Sequence, residues 1–265
     1  MRWNILGLPV DAVDRTEAAA RCEEFLDGTG PRQVVTANPL MILAAEKDPG
    51  LRSAFADAAL IVPDGVGLVI AAVLQGRRGT RVPGIELMER LCARAAETGR
   101  TVFLLGAAPG VVEAASRRLV ELNPALKIAG TRHGYFSGEG EEAVAAVSRA
   151  RPDLLFVALP TPFQDAWIHR NIGKLGAKVV MGVGGSFDVL SGRLRRAPSW
   201  MRSLGLEWLF RLIQEPGRWR RMLDLPIFLV RVLQDRGTDN LHALPAGGKT
   251  SHGQDARATK GPKNS

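Results

Sequence analysis

An α/β fold with a mostly parallel sheet covered by helices on both faces is predicted by three features of the sequence. Short apolar, partly β-branched runs alternate with helix-patterned stretches at the spacing of βαβ units. Each run ends in a glycine or proline loop. At 265 residues and 46% hydrophobic, the chain can bury one large core of this kind or two small ones.

Taken in order, residues 33–37 read as the first strand, ending at Asn38-Pro39, and 39–56 as a helix with Pro39 in its first turn. Leu60 to Val62 form a second, buried strand that runs into Pro63-Asp64-Gly65, and residues 66–74 begin a helix. The loop 76–84 holds Arg77, Arg78 and Arg81 and precedes a helix over 85–98. Residues 101–105 are the clearest strand, followed by the loop Gly106 to Gly110 and a helix to Leu122. Strands at 127–130, 154–158 and 178–183 complete the set, and no internal repeat is present. Residues 1–192 are therefore read as an α/β domain.

Beyond it the composition changes. All of the net charge of +8 is C-terminal: residues 193–236 carry ten arginines against four acids, while 1–192 balance. Trp200, Trp208, Phe210, Trp219 and Phe228 are interleaved with those arginines, which weakens a reading as a merely solvated basic face. Residues 199–214 read as a helix with Leu204, Trp208, Leu212 and Ile213 on one side. A second helix starts at Pro216 and runs toward Leu233, kinked or split at Pro226. Apolar side chains alternating with arginine suit a segment lying on an anionic bilayer surface; covering the α/β core explains the same pattern. Residues 237–265, poor in large apolar side chains, read as a disordered tail.

Some classes are disfavoured. The N-terminus lacks the apolar core of a signal peptide, and the longest apolar region, 54–74, is broken by Asp57, Pro63, Asp64 and glycines. Cys22 and Cys92 are far apart and form neither a disulfide nor a metal pattern. The chain contains no Asp-x-Asp, and its four histidines have no ligand spacing.

Candidate site residues gather at strand ends, where open α/β sheets bind ligands. Thr36 and Asn38 end the first strand, and Asp64 ends the second. Gly106 to Gly110, Pro160 to Asp165 and Gly182 to Ser186 follow later ones. Glycines there, including Gly106, Gly110, Gly184 and Gly185, let backbone N–H groups approach a phosphate at a helix N-terminus. The loop departs from G-x-G-x-x-G, so NAD receives little support. Each residue has a plainer reading: Pro63-Asp64-Gly65 as a turn, Asn38 as a helix cap, Gln164 as a loop residue, each arginine as a solubiliser.

Leu159 to Trp167, Gly182 to Asp188, Arg196-Ala197-Pro198, Gly205 to Leu212 and Glu215-Pro216 resemble the WecG/TagA/CpsF family, glycosyltransferase family 26. Thr36-Ala37-Asn38-Pro39 and Pro63-Asp64-Gly65 match its N-terminal motifs, and the likeness runs from about residue 4 to about residue 234. The resemblance implies a Rossmann-like fold and transfer of a sugar from a UDP-sugar, with inversion, to a sugar on a polyprenyl pyrophosphate. N-acetylmannosamine and N-acetylglucosamine are the sugars of its best-known members, which serve teichoic acid or surface polysaccharide synthesis. It also implies a C-terminal appendage that packs over the active site and contacts the membrane, with neither metal nor cofactor.

On that reading Asp64 is the base that takes the acceptor proton. Thr36, Asn38 and Gln164 orient hydroxyls, and arginine offsets the charge of the departing UDP. Arg81 matches the family's arginine in its loop, and Arg211, Arg218 and Arg221 match those of the appendage. The expected location is cytoplasmic, peripheral on the inner face of the cell membrane, with a homo-oligomer left open and no nucleic acid partner. The alternatives are a relative using UDP-glucose or a UDP-uronic acid, and a non-catalytic basic nucleotide-binding protein.

Overall fold

The computed structural model describes residues 1–137, 140–219 and 223–242. A six-stranded parallel sheet carries the fold, built from β3 (Arg32–Ala37), β4 (Leu60–Pro63), β5 (Thr101–Gly106), β6 (Lys127–Arg132), β7 (Leu154–Ala158) and β8 (Val179–Gly182). Their order is β4-β3-β8-β7-β5-β6, a Rossmann-like arrangement in which all six carboxyl ends share one edge.

Both faces are buried, as the unbroken apolar strands require. Leu154 and Phe156 point to one face, where they meet α1 (Arg15–Asp27), α5 (Gly84–Thr98) and α6 (Val111–Leu122). Leu155 and Val157 point to the other, against α7 (Glu141–Ala150) and α8 (Phe163–Asn171). On that second side, Val35 and Ile61 pack under α2 (Pro39–Ala45), α3 (Pro49–Asp57) and α4 (Val66–Leu74).

The expected helix over 39–56 is two helices. Asp48 caps α3 by accepting the Leu51 N–H at 3.0 Å, and Pro49, which has no N–H to donate and disfavours helical backbone before it, restarts the chain. An antiparallel hairpin of β1 (Arg2–Ile5) and β2 (Leu8–Asp11) precedes the sheet. Its buried Asp11 accepts the Ile61 N–H at 2.9 Å and pairs with Arg2 at 3.0 Å, so the hairpin steadies the β4 edge.

After α9 (Ser186–Leu190) the appendage begins. The single helix expected over 199–214 is broken into α10 (Ser199–Ser203) and α11 (Glu207–Gln214). Gly205 takes φ +72° at the break and lies so close to Val66 that a Cβ there would sit 2.7 Å from its Cγ2. A 3-10 turn at Pro216–Arg218 follows, and then α12 (Asp224–His242), with Pro226 in its first turn where proline is tolerated. Phe228 and Val232 of α12 are buried against α2 and α4. The helix runs to His242, six residues into the stretch read as a tail; residues 243–265 lie outside the described ones.

Charge ties the appendage down. Glu86 on α5 receives Arg196 at 2.5 Å and Arg202 at 3.5 Å, and Arg231 of α12 pairs with Glu46. Gln214 bonds the Arg195 backbone at both N–H (2.8 Å) and C=O (2.9 Å), closing the end of α11 onto the connecting loop.

Candidate active site

The carboxyl edge of the sheet and the underside of the appendage enclose a cavity of about 1100 Å³. Its floor is polar, with Thr36, Asn38, Asp64, Arg81, Gln164 and Gly184 among the lining residues. Ile70 of α4 and Leu225, Phe228 and Leu229 of α12 give one wall an apolar surface.

Asp64 stands where β4 ends. Its N–H donates to Ala37 O at 2.9 Å, which fixes the turn to the end of β3. One carboxylate oxygen accepts the Gly84 N–H at 3.1 Å, at the first residue of α5, where the helix dipole favours negative charge. The side chain lies deep in the cleft with a third of its surface, 34%, open to the cavity. Burial among protein atoms raises its pKa above the ordinary carboxylate range, Arg81, the Gly84 N–H and Arg211 oppose that rise, and Glu207 adds to it.

Arg81 is bonded to protein at two of its nitrogens. Nε donates to the Asp64 carbonyl at 2.6 Å, and one terminal nitrogen donates to Glu207 at 2.7 Å while standing 3.9 Å from the Asp64 carboxylate.

Thr36 Oγ1 donates to the Gly182 carbonyl at 2.8 Å and so stitches β3 to β8; its buried hydroxyl reaches the cavity only as an acceptor. Asn38 Oδ1 accepts the Met41 N–H at 3.2 Å and caps α2, in line with its plainer reading, while the residue still lines the cavity. Gln164 is 2% exposed rather than a free rim residue. Its Oε1 accepts the Gly184 N–H at 2.9 Å and the Leu159 N–H at 3.4 Å, and its Nε2 donates to Asp165 at 3.1 Å.

The glycine loops divide. Gly184 and Gly185 line the cavity, and Arg211 of α11 reaches the Gly185 carbonyl at 3.4 Å. Gly106 is demanded by packing instead: at φ +125° a Cβ would sit 2.2 Å from Ala158 O. The Gly110 N–H, expected to face a phosphate, is taken at 2.7 Å by Glu113 of its own helix; Ala107 and Ala108 line the cavity in its place. Arg218 lies in the 3-10 turn, where the backbone alone is described, and Arg221 lies outside the described residues.

Glu207, Asp188, Arg193, Arg195 and Tyr135 also line the cavity and were not singled out from sequence. Glu207 and Asp188 lie inside the motif runs Gly205 to Leu212 and Gly182 to Asp188, which was the available signal. No three His, Cys, Asp or Glu side chains converge as a metal site among the described residues, and no helix there is long and apolar enough to cross a membrane.

A parallel α/β sheet with a carboxylate, arginines and glycine loops around one cavity at its carboxyl edge is the frame of an α/β group-transfer enzyme. The chain belongs to the glycosyl transferase WecG/TagA/CpsF family, whose profile matches residues 3–241, and is a glycosyltransferase. It is 37% identical over 214 residues to the N-acetylglucosaminyldiphosphoundecaprenol N-acetyl-beta-D-mannosaminyltransferase of Bacillus subtilis strain 168, covering 80% of this chain and 83% of that one. The enzyme of the same name from Staphylococcus aureus strain MW2 is 34% identical over 232 residues, covering 86% and 91%.

Proposed function

We propose that the protein transfers N-acetylmannosamine from a UDP donor to N-acetylglucosamine carried on a polyprenyl pyrophosphate. The reading is supported by relatives of that name matched over most of both chains. The observation that carries its chemistry is Asp64: a carboxylate of raised pKa, fixed on a rigid strand end and open to the cavity.

In a single displacement the acceptor hydroxyl attacks C1 as UDP leaves, and the anomeric configuration inverts. Asp64 takes the hydroxyl proton. The leaving diphosphate gains charge, which Arg211 and the Gly184-Gly185 loop are placed to receive without a metal ion. The family resemblance gives Arg218 and Arg221 the same role. Residues 1–192 supply the base and the glycine loops, and 193–236 supply Arg211, the lid and the membrane contact.

A lipid-linked acceptor keeps its tail in the bilayer, so the enzyme works as a peripheral protein on the inner membrane face. The apolar wall formed by Ile70, Leu225, Phe228 and Leu229 suits the first part of that tail. The test is UDP release from a panel of UDP-sugars in EDTA, with and without a short-chain lipid-pyrophosphate N-acetylglucosamine, for wild type and Asp64→Asn. Acceptor-dependent release from UDP-N-acetylmannosamine that collapses in the variant is expected. A different active donor, or equal rates in both proteins, overturns the donor or the base.

A further inference from the structure

Glu207 is the first residue of α11, so it belongs to the appendage, yet its carboxylate reaches across the cavity to Arg81 at 2.7 Å. Arg81 is tethered by Nε to the Asp64 carbonyl at 2.6 Å, and that tether leaves its fork within reach of two carboxylates. The fork goes to Glu207, and the Asp64 carboxylate is left 3.9 Å away, beyond hydrogen-bond distance. Both carboxylates are partly shielded, at 25% and 34% exposure, so the choice carries more energy than it would at a free surface.

We propose that Glu207 is a positioning residue for the transfer reaction, holding the Arg81 guanidinium off the Asp64 carboxylate so that the base is free only when the appendage is seated. The inference rests on the reading of Asp64 as the base.

Three contacts set when Glu207 arrives. Gly205 packs its backbone on Val66, Arg196 and Arg202 bind Glu86, and Gln214 clamps the Arg195 backbone. With α11 lifted away, the tethered guanidinium has one carboxylate left to turn to, that of Asp64. A carboxylate held in an arginine fork is a poor base, because the same interaction that stabilises its charge must be given up when it takes a proton. A lipid surface that seats the appendage would then free the base at the place where the acceptor is.

The charged groups facing Asp64 are Arg81 from the 75–83 loop and Glu207 and Arg211 from α11, with the Gly84 N–H at the start of α5. Glu207 raises the Asp64 pKa, and Arg81 and Arg211 lower it. Removing Glu207 thus acts twice in one direction, by deleting a negative neighbour and by releasing a cation.

The experiment is a carbon-detected NMR titration of carboxylates in the full chain, with the Asp64 signal assigned by its loss in Asp64→Asn. Glu207→Gln is expected to lower the Asp64 midpoint by about one pH unit, the lower end of what a guanidinium brought into contact imposes. The acidic limb of the pH–rate profile moves the same way, and kcat falls. In Glu207→Gln with Arg81→Gln the midpoint climbs back, because no guanidinium remains to swing over. In a mere staple between loop and appendage, Arg81→Gln raises the midpoint by the same amount with Glu207 present or replaced, whereas a guanidinium that swings over makes the rise larger in the Glu207→Gln background; equal rises, or an unmoved midpoint in Glu207→Gln, overturn the proposal. If the midpoint moves as expected while Asp64→Asn keeps full turnover, the base assignment fails, and with it the catalytic meaning of the contact.

Discussion

Gln164 Oε1 accepts the Gly184 N–H at 2.9 Å, and through that bond the first turn of α8 holds the turn after β8. The amide orientation is set by its surroundings, with two backbone N–H groups at the oxygen and the Asp165 carboxyl at the nitrogen. Gln164→Leu keeps the volume but orphans the Gly184 N–H and removes the amide bond to the Asp165 carboxyl. A stability loss of roughly 2–4 kcal/mol in urea unfolding is expected. A fall in kcat/KM on the order of 100-fold is expected if the Gly184-Gly185 turn holds the donor diphosphate as proposed. Unchanged kinetics in a folded variant would show that the loop keeps its place unaided.

Asp165 gives a pH prediction of definite sign. It is fully buried, one of its oxygens has no hydrogen-bond partner, and burial raises its pKa to about 7 against the lowering effect of the Gln164 and Gln33 amides. An acid whose pKa is raised on folding contributes stability that is complete below its unfolded value, near 4, and lost as pH rises through about 7. The span of some three units corresponds to a ceiling on the order of 4 kcal/mol. Asp165→Asn removes that slope while still offering an oxygen to Gln164. Urea unfolding at pH 5 and pH 8 should find the variant gaining on the wild type as pH rises, and parallel slopes would mean that the carboxyl is ionised throughout.

Two glycines separate packing from function. At Gly185 an added Cβ would fall 1.8 Å from an Arg211 terminal nitrogen, the mobile end of a long side chain, and the backbone there is already right-handed at φ −81°. Gly185→Ala is expected to leave the melting temperature within about 2 °C, the scale of a surface substitution. It should also weaken UDP binding by displacing Arg211, as isothermal titration with UDP would measure. At Gly106 the obstacle is backbone, Ala158 O at 2.2 Å, combined with φ +125°, so Gly106→Ala costs about 3 kcal/mol or more and yields little folded protein.

Much of this is legible in the sequence. Five of the six parallel strands announce themselves as apolar runs closed by glycine or proline, and Asp64 falls at a strand end by counting alone, whereas β6, read as 127–130, runs on through Gly130 to Arg132. The hairpin of residues 2–11 was not legible, because its turn is Leu6-Gly7, with φ +51° and +78°, and not the Asn-Gly or Asp-Gly pair that marks such turns in sequence. Helical periodicity runs through Gly205 and through Asp48-Pro49 without showing that contact with Val66 and a capped restart break it. Partner choice was the least legible part. Arg81 and Glu207 are 126 residues apart, and nothing local says that one carboxylate takes the cation from another.

The appendage divides its apolar side chains between two solvents. Phe228 and Val232 are fully buried and hold α12 to the core, whereas Trp200, Leu204, Ile213 and Trp219 are 60%, 66%, 67% and 53% exposed in a segment rich in arginine. Leaving four such side chains in water is unfavourable unless another apolar phase receives them, and an anionic bilayer receives the arginines as well. Replacing Trp200 and Ile213 by serine should weaken sedimentation with phosphatidylglycerol vesicles by about tenfold for each side chain, from the transfer energy of a half-buried large residue. Neither residue lines the cavity, so turnover on a short-chain, water-soluble acceptor should hold. Phe228→Ala should do the reverse, losing about 3–5 kcal/mol of stability with no specific effect on vesicle affinity. Raising the salt should release the wild type, because the arginine contribution is screened while the tryptophan contribution is not. Binding indifferent to both salt and Trp200 would place the membrane contact on another face.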